Sequence, residues 1–166
     1  MLRGAFAAGS ERFGFRLVQY SVQNDYLHLI VEGKDRRALS RGMQGLLIRV
    51  AKALNRLWGR RGTVFSDRYH DRILRTPREV RNVLRYVLQN TLRHWVQRYG
   101  APRRKGIKPW LDPFASGCWF DGWKERLRLR GLEGVACPVA VARTWLLTEG
   151  WRRHGLISLE EQPGVN

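Results

Sequence analysis

The sequence predicts an α+β protein, and three observations carry that expectation. Two neighbouring stretches, Phe15–Val22 and Tyr26–Glu32, are rich in aromatic and β-branched residues and are joined by Gln23-Asn24-Asp25, a run of turn-forming residues. Two longer stretches after them hold apolar residues at helical spacing. Each of these helical stretches opens on a residue suited to capping its first turn. A hairpin followed by amphipathic helices gives a small antiparallel sheet with helices packed on one face.

In chain order, Leu2–Phe13 reads as the end of a helix, with Leu2, Phe6 and Phe13 apolar and Gly14 as its stop. The first strand then runs to Val22. In the second, Tyr26, His28 and Ile30 share one face by period two, and Leu27, Leu29 and Val31 share the other. Gly33-Lys34-Asp35 ends that strand, and Asp35 is the N-cap of a helix over Arg36–Trp58. Leu39, Met43, Leu46, Leu47, Val50, Leu54 and Leu57 form its apolar stripe. Its other face carries Arg49, Lys52 and Arg56, followed by Arg60 and Arg61, and Gly59 and Gly62 close it. Val64–Leu74, which mixes aromatic and basic residues, is expected to be a further strand.

Thr76–Arg98 is the strongest helix signal. Thr76 and Glu79 form a capping box, and Pro77 occupies the first helical position, where a missing N–H costs nothing. Val80, Leu84, Val87, Thr91 and Trp95 make the core stripe, widened by Val83 and Leu88. Tyr86 lies off it, on a polar face with Asn82, Asn90, Arg93 and Gln97. After Gly100 the character changes to a Pro, Gly and basic linker and an irregular, Trp-rich basic tail. The expected division is therefore a core over residues 1–100 and an extension over 101–166.

The chain has 166 residues, with 31 Lys and Arg against 14 Asp and Glu, a net charge of +17. That excess points to a polyanionic partner, nucleic acid before membrane, because the cations are spread through amphipathic segments. No apolar run approaches the ~20 residues that span a bilayer, and the N-terminal stretch is too interrupted for a signal peptide. Cys118 and Cys137 have neither disulfide-framework nor zinc spacing. The expected location is the cytoplasm.

The stretches YSVQNDYLHLIVE, GRRGTVFSDRYHDRIL and VRNVLRYVLQN, in that order, resemble the single-tyrosine transposases of the HUH endonuclease superfamily. The REP-associated tyrosine transposases of bacteria are the nearest branch, and the resemblance covers roughly Leu2 to Arg98. It implies a ferredoxin-like antiparallel sheet. It also implies a divalent metal, Mg2+ or Mn2+, and a helix-borne tyrosine that attacks a phosphodiester of single-stranded or hairpin DNA. Carried over by position, Tyr86 is the nucleophile, leaving a 5′-phosphotyrosyl link and a free 3′-hydroxyl. His28 is the second histidine of the His-hydrophobic-His motif, and Asn90 is the amide that completes the metal site, with Gln89 competing for that role. The chemistry suits these types: a phenol with pKa about 10 needs help from a polarised phosphate.

The chain departs from the family in two ways. Tyr26 stands where the family has its first histidine, and a neutral phenol is a poorer ligand than imidazole. His70 is a substitute that nothing in the spacing requires. The family's first strand is also expected to be missing, which would expose a pairing edge. Both departures predict weakened cleavage with DNA binding retained. Arg72, Arg75, Arg78, Arg81, Arg85 and Arg93 are the expected DNA-binding cations. Tail residues Trp110, Trp119, Trp123, Trp145 and Trp151 read chiefly as packing, with stacking on bases as the alternative. Ser66-Asp67 and His70-Asp71 do not form a hydrolase triad. Transposase-type nicking and rejoining of DNA is thus the leading expectation. A non-catalytic DNA-binding derivative is the second and a basic RNA-binding protein the third, with monomer and homodimer both open.

Overall fold

The computed structural model describes residues 1–23, 26–91, 111–127, 132 and 134–161. The fold is α+β: a three-stranded antiparallel sheet with helices packed on it, an arrangement compatible with a ferredoxin-like layout. The order of elements is α1 (Leu2–Gly9), β1 (Glu11–Arg12), β2 (Phe15–Val22), β3 (Leu27–Gly33), α2 (Arg36–Leu57) and α3 (Pro77–Leu88). Beyond them come a 3-10 turn at Ser116–Trp119, a single α-turn at Trp145–Thr148 and a 3-10 segment at Gly150–His154. The sheet runs β1-β2-β3. The Gln23 N–H donates to the Tyr26 carbonyl at 2.8 Å, closing the β2–β3 connection around the expected Asn24 and Asp25, which lie outside the described residues.

Two compact units emerge, each built from several stretches of chain. The first holds Met1–Val18, Val31–Leu74 and Gly134–Arg143. Its core is Phe6, Phe15, Leu17, Met43, Leu46 and Val50, all nearly inaccessible. Asp35 caps α2 as expected, its carboxylate accepting from the Ala38 N–H at 2.6 Å. At the other end the Gly59 N–H donates to Arg56 and the Arg60 N–H to Asn55, while Gly59 takes φ +62. This is a Schellman closure, which needs a residue free to turn left-handed. Leu57, expected on the stripe, is exposed in that last turn.

The short hairpin β1–β2 corrects the expectation of a helix to Phe13. α1 ends at Gly9, and Arg12 pairs with Phe15 across a two-residue turn in which Phe13 has φ 49 and Gly14 φ 87. A tight hairpin of this kind needs positive φ at both central residues, so Gly14 serves a turn and not a helix stop. Phe13 is 85% exposed, with the Arg12 guanidinium over its ring. Residues 64–74, expected to form a strand, join no sheet and are mostly exposed. Strand-like composition supplies no ladder when no partner edge is within reach.

The second unit holds Gln19–Ile30, Arg75–Glu133 and Thr144–Asn166. Its core gathers Tyr20 and Ile30 from the strands, Val80, Leu84, Val87 and Leu88 from α3, and Trp123, Trp151 and Ile157 from the tail. The expected stripe of α3 is therefore buried, as far as Leu88.

In the first unit α2 approaches β2 so closely that a Cβ on Gly42 would stand 2.1 Å from Cγ of Phe15. Ordinarily Gly→Ala in a helix interior gains ~1 kcal/mol. Gly42→Ala is expected to lower the melting temperature by several degrees, because Phe15 is fully buried and has nowhere to move. Gly45→Ala, whose nearest neighbour is the flexible end of Arg49, is expected to leave it unchanged or raised. Thermal melts of the two variants decide the matter.

Candidate functional site

The second unit brings together the residues that its sequence set apart. α3 starts where the capping box requires: Thr76 Oγ1 accepts from the Glu79 N–H at 3.2 Å, and the Glu79 carboxylate accepts from the Thr76 N–H at 3.1 Å. With the start fixed and the Val80–Leu84–Val87–Leu88 stripe buried, the rotation of the helix is fixed too. Tyr86 is then turned toward β3, half-buried, with its ring centroid 5.2 Å from that of His28 in an edge-on arrangement. Tyr26 continues the row. Its ring lies 6.2 Å from His28, nearly parallel, and is 67% exposed. Alternation along the strand places Tyr26 and His28 on one face, as expected.

Asn90 does not share a solvated face with Tyr86. The helix is interrupted at Gln89, which has φ −119 and ψ 18, and this breaks the simple one-turn relation between Tyr86 and Asn90. Asn90 is fully buried. Neither its Oδ1 nor its Nδ2 finds a hydrogen-bond partner among the described residues. Gln89 donates from Nε2 to the Ser158 carbonyl at 2.8 Å, and its buried Oε1 is likewise without a partner. Three orphaned amide atoms side by side are costly, on the order of 1–3 kcal/mol each. Orphans of this kind mark places where a ligand, ion or water completes the bonding.

His28 and these amide oxygens fit a divalent ion in kind. Mg2+ is usually held by one or two protein groups and leaves its other positions to water and to substrate phosphates. They do not amount to a rich protein cage: no group of three His, Cys, Asp or Glu side chains that could hold a metal occurs among the described residues. Tyr26 adds only a neutral phenol. His70, the substitute considered from the sequence, is exposed on the unpaired stretch 64–74 and belongs to the first unit.

The expected row of DNA-binding arginines divides. Arg75 and Arg78 are exposed, as is Arg72 in the first unit. Arg81 and Arg85 are instead engaged within the protein. Both Arg81 Nη atoms donate to Glu161 at 2.7 Å, its Nε donates to the Gly155 carbonyl, and Arg85 Nη1 donates to Glu161 at 2.8 Å. Hydrogen bonding from Arg81, then its charge and Arg85, pulls the Glu161 carboxyl down to about 2 and raises the Arg81 guanidinium. Arg93 lies outside the described residues, as do Trp95, Gln97, Trp110 and the linker residues Arg103, Arg104 and Lys105.

The tail is a structural partner of the site. Trp123 and Trp151 are buried around Phe120, and Trp123 Nε1 donates to the Gly117 carbonyl at 2.8 Å. Trp145 is 45% exposed, with the Arg153 guanidinium over its ring. Beside the site Thr91, expected in the apolar stripe, donates to Asp112 and accepts from Gln23 at 3.0 Å. Asp112, Ser158 and Glu161 escaped sequence reasoning. Residues 101–166 hold seven acids against eleven Lys and Arg, so composition does not single these three out. No family model, curated protein or solved structure matches the chain.

Two outcomes follow from these contacts. A carboxyl with a depressed pKa contributes stability above its ordinary value near 4.5, and loses it as pH falls toward about 2. The melting-temperature gap between the natural protein and Glu161→Gln should therefore be constant above pH 5.5 or so and close progressively below it. Asn90→Leu should raise the melting temperature, because it replaces an unsatisfied amide by an apolar group of similar shape. A drop of more than a few degrees would show that Asn90 is satisfied by something in the protein itself.

Proposed function

We propose that the chain is a transposase-type protein that binds single-stranded or hairpin DNA and carries Tyr86 as its strand-cleaving nucleophile. The observation that carries the reading is the row Tyr26–His28–Tyr86, in which the two halves of the resembled motif meet although they lie on different elements. In the reaction the Tyr86 phenolic oxygen forms a bond to phosphorus and the bond from phosphorus to the 3′-oxygen breaks. The phenolic proton is given up, and the departing oxygen takes one to become a 3′-hydroxyl. The phosphate remains on Tyr86 as a 5′-linked ester, so bond energy is kept for rejoining without a nucleotide cofactor. His28 and Asn90, with Gln89 as competitor, would hold Mg2+ or Mn2+, which would polarise the phosphate and offset its developing charge.

The chain's own residues do the rest. α3 fixes Tyr86 against His28, so little orientational freedom remains to be lost at the moment of attack. Arg75 and Arg78, exposed at the start of the same helix, offer charge to the neighbouring backbone phosphates. Tyr26 withholds the second imidazole and slows cleavage. That same residue supports a second reading, a DNA-binding derivative in which the Tyr86 chemistry has lapsed.

Labelled hairpin DNA, incubated with Mn2+ or EDTA and resolved on a denaturing gel, separates the two. The natural protein should give a faint metal-dependent adduct, Tyr26→His an adduct at least tenfold stronger, and Tyr86→Phe none, with DNA affinity equal in all three. Adduct from neither Tyr86-bearing form, with binding intact, favours the lapsed derivative. Adduct surviving Tyr86→Phe overturns the assignment of the nucleophile.

A further inference from the structure

The first unit contains a feature that the Tyr86 site does not use. An open cavity of about 630 Å3 lies among the end of α1, the β1–β2 turn and the stretch of α2 from Arg37 to Arg49. Five of the side chains that line it are cationic: Arg12, Lys34, Arg37, Arg41 and Arg49. Its one acid, Asp35, is committed to the Ala38 N–H as the helix cap. Lys34, Arg37 and Arg41 are exposed and make no ion pair among the described residues.

Arg37, Arg41 and Arg49 fall with Gly45 on one i, i+4 row of α2, so like charges face each other where a helix is normally weakened by them. Gly45 also sacrifices helix propensity, and the half-buried Arg49 guanidinium folds back along the row to donate from Nη1 to the Gly45 carbonyl at 2.8 Å. The positive end of the 22-residue helix α2 adds to the same field. From Arg37 to Arg49 the row spans ~18 Å at 1.5 Å per residue. A single small anion cannot reach along it, whereas a strand with a repeating phosphate can. Phe13, exposed at the rim, offers a ring on which a base can stack.

We infer that this cavity is a second DNA-binding site, which holds the sugar-phosphate backbone of a strand or hairpin. The choice of DNA as the polyanion rests on the function proposed above. The existence of a phosphate track rests on the cations and their spacing alone.

The test is fluorescence anisotropy of the full chain with a hairpin oligonucleotide, titrated between 50 and 300 mM salt. Arg37→Ala/Arg41→Ala should weaken binding about tenfold at 100 mM salt and make the plot of log K against log salt shallower by about 1.4–1.8, since each phosphate contact contributes roughly 0.7–0.9. Arg60→Ala/Arg61→Ala removes the same charge at the far end of α2 and should change the slope by less than half as much. Equal changes in both pairs would reduce the effect to net charge and overturn the site. Natural protein that binds DNA and forms its adduct, beside an Arg37/Arg41 variant that binds as tightly, would overturn this site and leave the Tyr86 reading standing. No binding of DNA by the natural protein would overturn both.

Discussion

Much of this structure depends on how the buried backbone of β2 is satisfied. The strand is inaccessible along most of its length, so each peptide group that β3 does not take must find a partner elsewhere in the protein. β1 is only two residues long and cannot supply them. In the first unit the Leu17 N–H donates to Ser10 at 2.6 Å, and the Leu17 carbonyl accepts from Ala140 at 2.7 Å. In the second, the Tyr20 N–H donates to the Ser116 hydroxyl at 2.8 Å, the Val22 N–H donates to Phe114, and Ser21 bridges to Ala115. The Trp-rich tail is thus an edge cover for the sheet, and its own packing around Trp123 and Trp151 follows from that task. It blunts an edge that would otherwise invite pairing with another chain.

The same tail fixes what α3 can do. Ser158 holds Gln89 where the helix breaks, and Glu161 holds Arg81 and Arg85, so the helix that carries Tyr86 is pinned along one side by residues far downstream. Ion pairs with fully exposed partners contribute little, but here one half-buried carboxylate accepts three guanidinium hydrogen bonds, an arrangement with defined geometry. What this pinning leaves half-buried is Tyr86 beside His28, while the amides of Gln89 and Asn90 lie buried, three of their polar atoms without a partner among the described residues. Buried polar groups without partners oppose folding, and three such atoms on two successive residues distinguish this end of α3 from ordinary core.

Local signals in the sequence were sufficient for the elements whose causes are local. Asp35 and the Thr76–Glu79 box start their helices as read, and Val80, Leu84 and Val87 are buried as their spacing requires. The meeting of Tyr26, His28 and Tyr86 was legible through the resemblance and through strand alternation. The failures have other causes. Phe13 reads as a helix residue until Arg12 and Phe15 pair across it, and residues 64–74 read as a strand although no edge receives them. Asn90 looks solvated if the helix is drawn straight through Gln89. Arg81 and Arg85 look free until Glu161, 80 and 76 residues downstream, reaches them. The last depends on a partner that no window around the residue contains; Phe13 and Asn90 depend on a turn and a helix break that composition and periodicity do not register.

The late arrival of the cover for β2 has a consequence for synthesis. Tyr20 and Ser116 are 96 residues apart in the chain. At roughly 5–20 residues per second, Tyr20 is synthesised some 5–20 s before that hydroxyl is made. During that interval the hairpin can pair but its buried edge cannot be sealed, so the chain emerges with a strand that is adhesive to its neighbours on the same message. Non-local closure of this kind also slows folding after release. The dense positive charge of the nascent chain then has a second use, since like-charged copies repel one another while the edge is still open.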